Sequence, residues 1–148
     1  MAACEVTVAF VYPCTVRFAE VDGASIAYFS RVFEHCHAAY EEMLAASGLP
    51  LRGILEREDW VLPLVHAEAD FRRPLRLGDR LSVELRLERL GGSSATFAYR
   101  LVGEAGDLRA EAKLVHAFID KESFTPREAP ESFLAAMARL RLLPERGA

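Results

Sequence analysis

The segment Val16-Arg17-Phe18-Ala19-Glu20-Val21-Asp22-Gly23-Ala24-Ser25-Ile26-Ala27-Tyr28-Phe29 brings an acidic side chain up to the start of an amphipathic helix. The first N–H groups of a helix have no partner within it. Such groups bind anions or a developing oxyanion. A carboxylate beside them is a base or nucleophile next to an oxyanion site, the two functions acyl transfer needs. On residue type and spacing alone, Asp22 also reads as a helix N-cap or turn former, the commoner use of an acid at a helix start. Glu20, two positions earlier, can form a carboxylate pair with Asp22 if the strand continues. An exposed strand-end glutamate is its ordinary reading.

Several elements must position these residues. Thr7 to Phe18 reads as a strand, with Val8, Phe10, Tyr12, Cys14, Val16 and Phe18 on one parity and Pro13 marking an edge or bulge. From Ile26 the period changes. Ile26, Phe29, Phe33, Cys36, Tyr40, Met43 and Leu44 recur at helical spacing, predicting about four or five turns with one buried stripe. Ser47-Gly48-Leu49-Pro50 supplies a glycine stop followed by proline. Residues 51–59 read as a loop with a helical turn. A meander of four antiparallel strands is expected next, over 61–71, 80–90, 94–102 and 108–120. Gly91-Gly92-Ser93 and Gly103-Glu104-Ala105-Gly106-Asp107 serve as its turns. Pro130 to Leu143 predicts a short terminal helix. One striped helix and one sheet make an α+β layer arrangement. The edges of such a sheet invite pairing with a second copy, so at least a homodimer is expected.

The chain has 148 residues, the size of one domain spanning 1–148, and its formal charge of −4 argues against a nucleic-acid partner. No apolar run is long enough to span a membrane. The N-terminal residues lack the basic-then-apolar order of a signal peptide, so a cytoplasmic location is expected. The three cysteines, Cys4, Cys14 and Cys36, show no zinc-like spacing. Cys36, on the apolar helix face, reads as a small buried hydrophobe before a nucleophile. His35 and His37 point about 200° apart on a helix and cannot chelate one metal by themselves. His66 and His116 fall in separate strands, so no metal site and no cofactor are expected. His35 or His37 can still offer a polar contact to a ligand. Arg72, Arg73, Arg76 and Arg80 surround a Pro74–Gly78 turn, either as solvated charges or as phosphate contacts, for which the guanidinium fork is suited. Tyr28, Phe33 and Trp60 read as core first and as walls of an acyl pocket second.

The Phe18-to-Phe29 pattern Phe-x-x-x-Asp-x-x-x-Ile-x-Tyr-Phe resembles the acyl-CoA thioesterases of the hotdog fold. The nearest branch is the 4-hydroxybenzoyl-CoA thioesterase group with its YbgC-like and 1,4-dihydroxy-2-naphthoyl-CoA hydrolase members. The run His35-Cys36-His37-Ala38-Ala39-Tyr40-Glu41-Glu42-Met43-Leu44 is similar to the naphthoyl-CoA hydrolases. Ala69-Asp70-Phe71-Arg72-Arg73-Pro74-Leu75-Arg76-Leu77-Gly78-Asp79-Arg80-Leu81 is similar to the family's Pro-Leu-x-x-Gly-Asp turn. Together these cover roughly residues 8–135 in the family's order of elements.

The resemblance implies a hotdog fold, a long central helix wrapped by a curved antiparallel sheet. It implies Asp22 as the catalytic carboxylate, the Phe29 backbone N–H as the oxyanion donor, and pockets at the interface of a homodimer or homotetramer. CoA would be held at the surface by basic side chains, with Arg72 and Arg73 the first candidates and Tyr28 beside the substrate. The chain departs from the family at Ser25, where glycine is frequent, and at Gly23, where proline or alanine is frequent. The Ser25 hydroxyl lies near the expected reaction centre, either capping the helix or narrowing the acyl pocket. The implied activity is hydrolysis of an aryl- or medium-chain acyl-CoA thioester to acid and CoA. Release of an acyl or polyketide chain from an acyl carrier protein, and non-catalytic acyl-CoA binding on the same scaffold, are the alternatives.

Overall fold

The computed structural model describes residues 9–144, so Cys4 and the Thr7–Val8 start of the expected first strand lie outside the described residues. Eleven elements among the described residues include β1 (Phe10–Thr15), α1 (Ser30–Ala46), α2 (Leu51–Arg57), β2 (Trp60–Val61) and β3 (Leu64–Phe71). They continue with β4 (Arg80–Leu90), β5 (Ser94–Gly103), β6 (Leu108–Ala117), β7 (Ile119–Asp120) and α3 (Glu131–Arg139). The eleventh is a single 3-10 turn at Phe18–Glu20.

A five-stranded antiparallel sheet in the order β1-β4-β5-β6-β3 lies against α1. This is the helix-in-sheet layering that the resemblance implies. Strand β4 follows its sequence pattern, with Leu81, Val83, Leu85 and Leu87 buried and Ser82, Glu84, Arg86 and Glu88 on the other face. The inner faces of β4, β5 and β6 pack on the stripe Val32, Cys36, Ala39, Tyr40, Met43 and Leu44 of α1. Trp60, Phe97, Phe118 and Phe133 close one end of this core with edge-on ring contacts. Helix α1 stops where the sequence places its glycine: Gly48 takes a left-handed φ of +82°, and Leu49 N–H reaches back to Leu44 O at 3.1 Å.

Six expectations are corrected. The strands after α2 are not one continuous meander, because β3 crosses over to pair with β6 at the far edge, and only β4, β5 and β6 run consecutively. The run 61–71 is split, since proline at 63 breaks the ladder and leaves Trp60–Val61 to pair with β7. Helix α1 begins at Ser30 rather than Ile26. Ile26 and Ala27 are extended, bridging Arg76 and Val21, so backbone pairing overrides helical spacing. The first strand ends at Thr15, and Phe18, 80% exposed, belongs to the 3-10 turn. Residues 51–57 form a full helix, and α3 is shorter than expected at Glu131–Arg139.

Candidate active site

Between the 3-10 turn and α1 the chain makes a tight hairpin. Val21 and Ala27 pair across it, Asp22 N–H donates to Ile26 O at 3.1 Å, and Ser25 N–H donates to Asp22 O at 3.0 Å. Asp22 Oδ1 accepts the Ala24 N–H at 2.8 Å, an aspartate turn that fixes the side chain over its own loop. The exposed carboxylate keeps Oδ2 without a partner among the described residues. Asp22 is therefore a turn former but not the cap of α1, whose N-cap is Phe29.

Main-chain bonds dock this hairpin onto the Pro74–Gly78 turn. Ala27 N–H donates to Leu75 O at 2.7 Å, and Leu77 N–H donates to Ser25 O at 3.2 Å. Ser25 pays for the bend with a left-handed φ of +61°, a conformation that costs an L-residue roughly 1–2 kcal/mol and glycine little. This explains why glycine suits the position. The helix-capping reading of Ser25 is overturned, because the residue lies five positions before Ser30 and its hydroxyl makes no hydrogen bond among the described residues.

On the helix side, Tyr28 N–H is used by Glu20 O at 3.0 Å, whereas the Phe29 and Ser30 N–H groups have no acceptor among the described residues. The Tyr28 and Phe29 rings meet at 4.8 Å, and both are 55% exposed, so Tyr28 is not core. Phe29 lines a cleft of about 280 Å³ with Val32, Phe71, Leu75, Arg72 and Arg73. Phe33 is half-buried, and Trp60 is fully core.

The four arginines separate. Arg72 and Arg73 edge the cleft, while Arg80 lies on a different cavity with Cys14 and His35. Arg72 is tied to Glu111 at 3.1 Å, and the Arg73 guanidinium makes no ion pair among the described residues. Their placement depends on a residue the sequence reading missed. Arg109 O accepts the N–H groups of both Arg72 and Arg73, at 2.9 and 3.0 Å. The Arg109 guanidinium holds Pro74 O at 2.9 Å, Asp79 Oδ2 at 2.7 Å and the Asp107 carboxylate. Burial by itself would raise the Asp79 carboxyl, but the Arg76 N–H and the Arg109 guanidinium outweigh it and hold it below its ordinary value. No local pattern announces Arg109, because its partners are 30 or more residues away except Asp107.

Glu20 is not the exposed strand-end residue expected, nor is it paired with Asp22. Its side chain is 12% exposed and contacts His35. His37 sits apart, 3.5 Å from Glu41, and His66 lies 3.7 Å from Glu68 on the surface. His116 is buried, with Nδ1 at 3.0 Å from Leu62 O, and burial first of all lowers its pKa. Among the described residues no three His, Cys, Asp or Glu side chains are grouped to hold a metal ion. Burial pushes the Cys36 thiol up to about 12 and the Cys14 thiol to about 11, with the Glu20 charge adding to the latter. Cys36 is thus the inert hydrophobe its helix position predicts.

The fold has known counterparts. A model of the thioesterase-like superfamily matches residues 16–137. A 1,4-dihydroxy-2-naphthoyl-CoA hydrolase from Nostoc punctiforme is 36% identical over 125 residues, covering 84% of each chain. One from Thermosynechococcus vestitus is 38% identical over 105 residues, covering 71% of this chain and 72% of the relative. The crystal structure of a 1,4-dihydroxy-2-naphthoyl-CoA thioesterase from Synechocystis superposes with a TM-score of 0.83 at 32% identity, covering 88% of this chain and 96% of that one. The hotdog arrangement, the match over most of the chain and the identity to these relatives establish that the protein belongs to the thioesterase-like superfamily and is a thioester hydrolase.

Proposed function

We propose that the protein hydrolyses aryl-CoA thioesters, with Asp22 as the catalytic carboxylate and the Phe29 N–H as the oxyanion donor. The observation that carries this reading is the junction itself. A carboxylate oxygen and a helix-start N–H, both unpartnered among the described residues, flank one hairpin beside an apolar cleft edged by two arginines. Asp22 Oδ2 takes a proton from water as the water oxygen adds to the thioester carbonyl, or attacks that carbonyl itself to give a mixed anhydride. The Phe29 N–H stabilises the negative charge on the carbonyl oxygen. Collapse of the tetrahedral intermediate expels the CoA thiolate. The water route leaves the free acid directly, and the anhydride route leaves a mixed anhydride that a water molecule then hydrolyses to the free acid and the Asp22 carboxylate. The cleft, at about 280 Å³, is near the lower limit of ligand pockets. That size suits one ring system lying against Phe29, Phe71 and Val32. Arg72 and Arg73 meet CoA phosphates at its rim, and Tyr28 flanks the entering substrate. The relatives named above, hydrolases of a fused-ring aryl-CoA, support the aryl class.

The 1–148 chain acts as one hotdog domain in a homodimer or larger homo-oligomer located in the cytoplasm. Strand β3 supports the oligomer, because it pairs on one side only, is exposed along nearly its whole length, and carries Val65 and Phe71 at 59% and 52% exposure. The test is thiol release from a panel of aryl- and alkyl-CoA thioesters. Aryl thioesters are turned over faster by the wild type, and Asp22→Asn loses two or more orders of magnitude while keeping its circular dichroism spectrum. Equal rates for Asp22→Asn and wild type on every accepted thioester overturn the assignment.

A further inference from the structure

Two residues before Asp22, both oxygens of Glu20 are occupied. Oε2 accepts the Arg17 N–H at 2.7 Å, closing the 3-10 turn, and Oε1 accepts from Nε2 of His35 in α1. A carboxylate only accepts, so the imidazole presents its hydrogen on Nε2. Both side chains are 12% exposed. The main chain of the same turn is tied to the helix as well: Glu20 O takes the Tyr28 N–H at 3.0 Å, and Ala19 O takes Arg31 Nη2 at 3.1 Å.

Asp22 and the Phe29 N–H therefore sit on two arms that meet through Glu20. The arm before Asp22 is held by the Glu20 side chain. The arm after it is held at Tyr28, immediately before Phe29, and at His35. With a hydrogen bond on each oxygen and a side chain only 12% exposed, Glu20 is a poorer base for water than the exposed Asp22 carboxylate. We propose that Glu20 is a positioning residue for thioester hydrolysis, its bond to His35 fixing where the Asp22 carboxylate stands relative to the Phe29 N–H. The inference rests on Asp22 being the catalytic carboxylate. Fixing that separation matters because a displacement of about 1 Å at reacting groups costs on the order of 100-fold in rate.

The test compares Glu20→Ala, Glu20→Gln, Asp22→Asn and the double variant Glu20→Ala/Asp22→Asn on benzoyl-CoA, with thermal midpoints measured alongside. Glu20→Ala lowers kcat about 10- to 100-fold and leaves KM within about twofold. Glu20→Gln recovers most of the loss, because His35 in its other tautomer accepts from the Gln amide. In the Asp22→Asn background Glu20→Ala causes no further loss, the non-additivity expected of a residue that acts through another. A loss in the double variant equal to the product of the single losses overturns the positioning role and leaves the assignment of Asp22 intact. So does a rise in KM with kcat unchanged. An Asp22→Asn variant of normal rate overturns the base assignment and the positioning role with it. If Glu20→Ala fails to fold, His35→Leu, which has no donor, cuts the same tie from the helix side and is read by the same criteria.

Discussion

Arg109 Nη1 lies 2.7 Å from Asp79 Oδ2, an ion pair that joins the start of β6 to the end of the Pro74–Gly78 turn. The two side chains are only 19% and 25% exposed, so solvent screens the pair less than a surface one. Asp79 also caps its own turn by accepting the Arg76 N–H at 2.8 Å, while Asp79 O takes the Val16 N–H at 2.9 Å. The pair thus anchors the turn on which the Asp22 hairpin rests.

Removing the guanidinium should loosen that turn and the arginines on it. Arg109→Ala is expected to cost on the order of 1 kcal/mol of stability, since it takes the guanidinium from the half-buried Asp79 carboxylate and from Pro74 O. It should raise KM for CoA thioesters more than it lowers kcat, because the Pro74–Gly78 turn that follows Arg72 and Arg73 loses its guanidinium tie, although their own N–H bonds to the carbonyl of residue 109 remain. Arg109→Lys keeps the charge without the fork and falls between. Urea titration and steady-state thiol release check both parts.

Acid should dissolve the same anchor. Asp79 has its folded pKa held below the ordinary 3.8, so its stabilisation is fully present above that value and is lost as pH falls through the folded one. The stability gap between wild type and Asp79→Asn is therefore wide at pH 7 and closes in strong acid. Denaturation curves at neutral pH and at several values below 4 measure the closure.

Ser25→Gly relieves a left-handed φ of +61° but gives the unfolded chain more freedom. The first effect is the larger for a non-glycine residue at positive φ, so the variant gains up to about 1 kcal/mol. Any accompanying change in the ranking of aryl against alkyl thioesters reports contact of the hydroxyl with the acyl group. Thermal unfolding and the thioester panel separate the two readouts.

Under the proposed edge-to-edge pairing of two copies of β3, lysines at Val65 and Ala67 bring like charges together. Sedimentation should show the wild type as an oligomer and the variant shifted toward single chains, with thiol release falling in parallel. A wild type that sediments as a single chain overturns the oligomer.

Much of this architecture is legible in the sequence. The alternation of Leu81 to Leu87, the Cys36–Tyr40–Met43–Leu44 stripe and the Gly48 stop each encode their element locally, and each is observed. What is not legible is tertiary. Ile26 and Ala27 carry helical spacing, yet their backbones are claimed by Arg76, Leu75 and Val21. Strand β3 looks like the next turn of a meander, yet its partner is β6, because strand order is not written in any one strand. At the candidate site the pattern around Asp22 and Phe29 is local and readable. The roles of Arg109 and of the Glu20–His35 contact arise from side chains 15 to 35 residues apart and become visible only when the chain is folded.

The docking of the Asp22 hairpin has a consequence for how this protein diversifies. The bonds from Ala27 to Leu75 and from Leu77 to Ser25 are made by main-chain atoms alone. Gly23 has open space around its α-carbon, and Ala24 and Ser25 are exposed. The side chains at these three positions are therefore exempt from holding the loop together. Mutation can resculpt the tip of this hairpin without moving the Asp22 carboxylate, so under the proposed mechanism the loop is free to drift in sequence while the chemistry stays fixed.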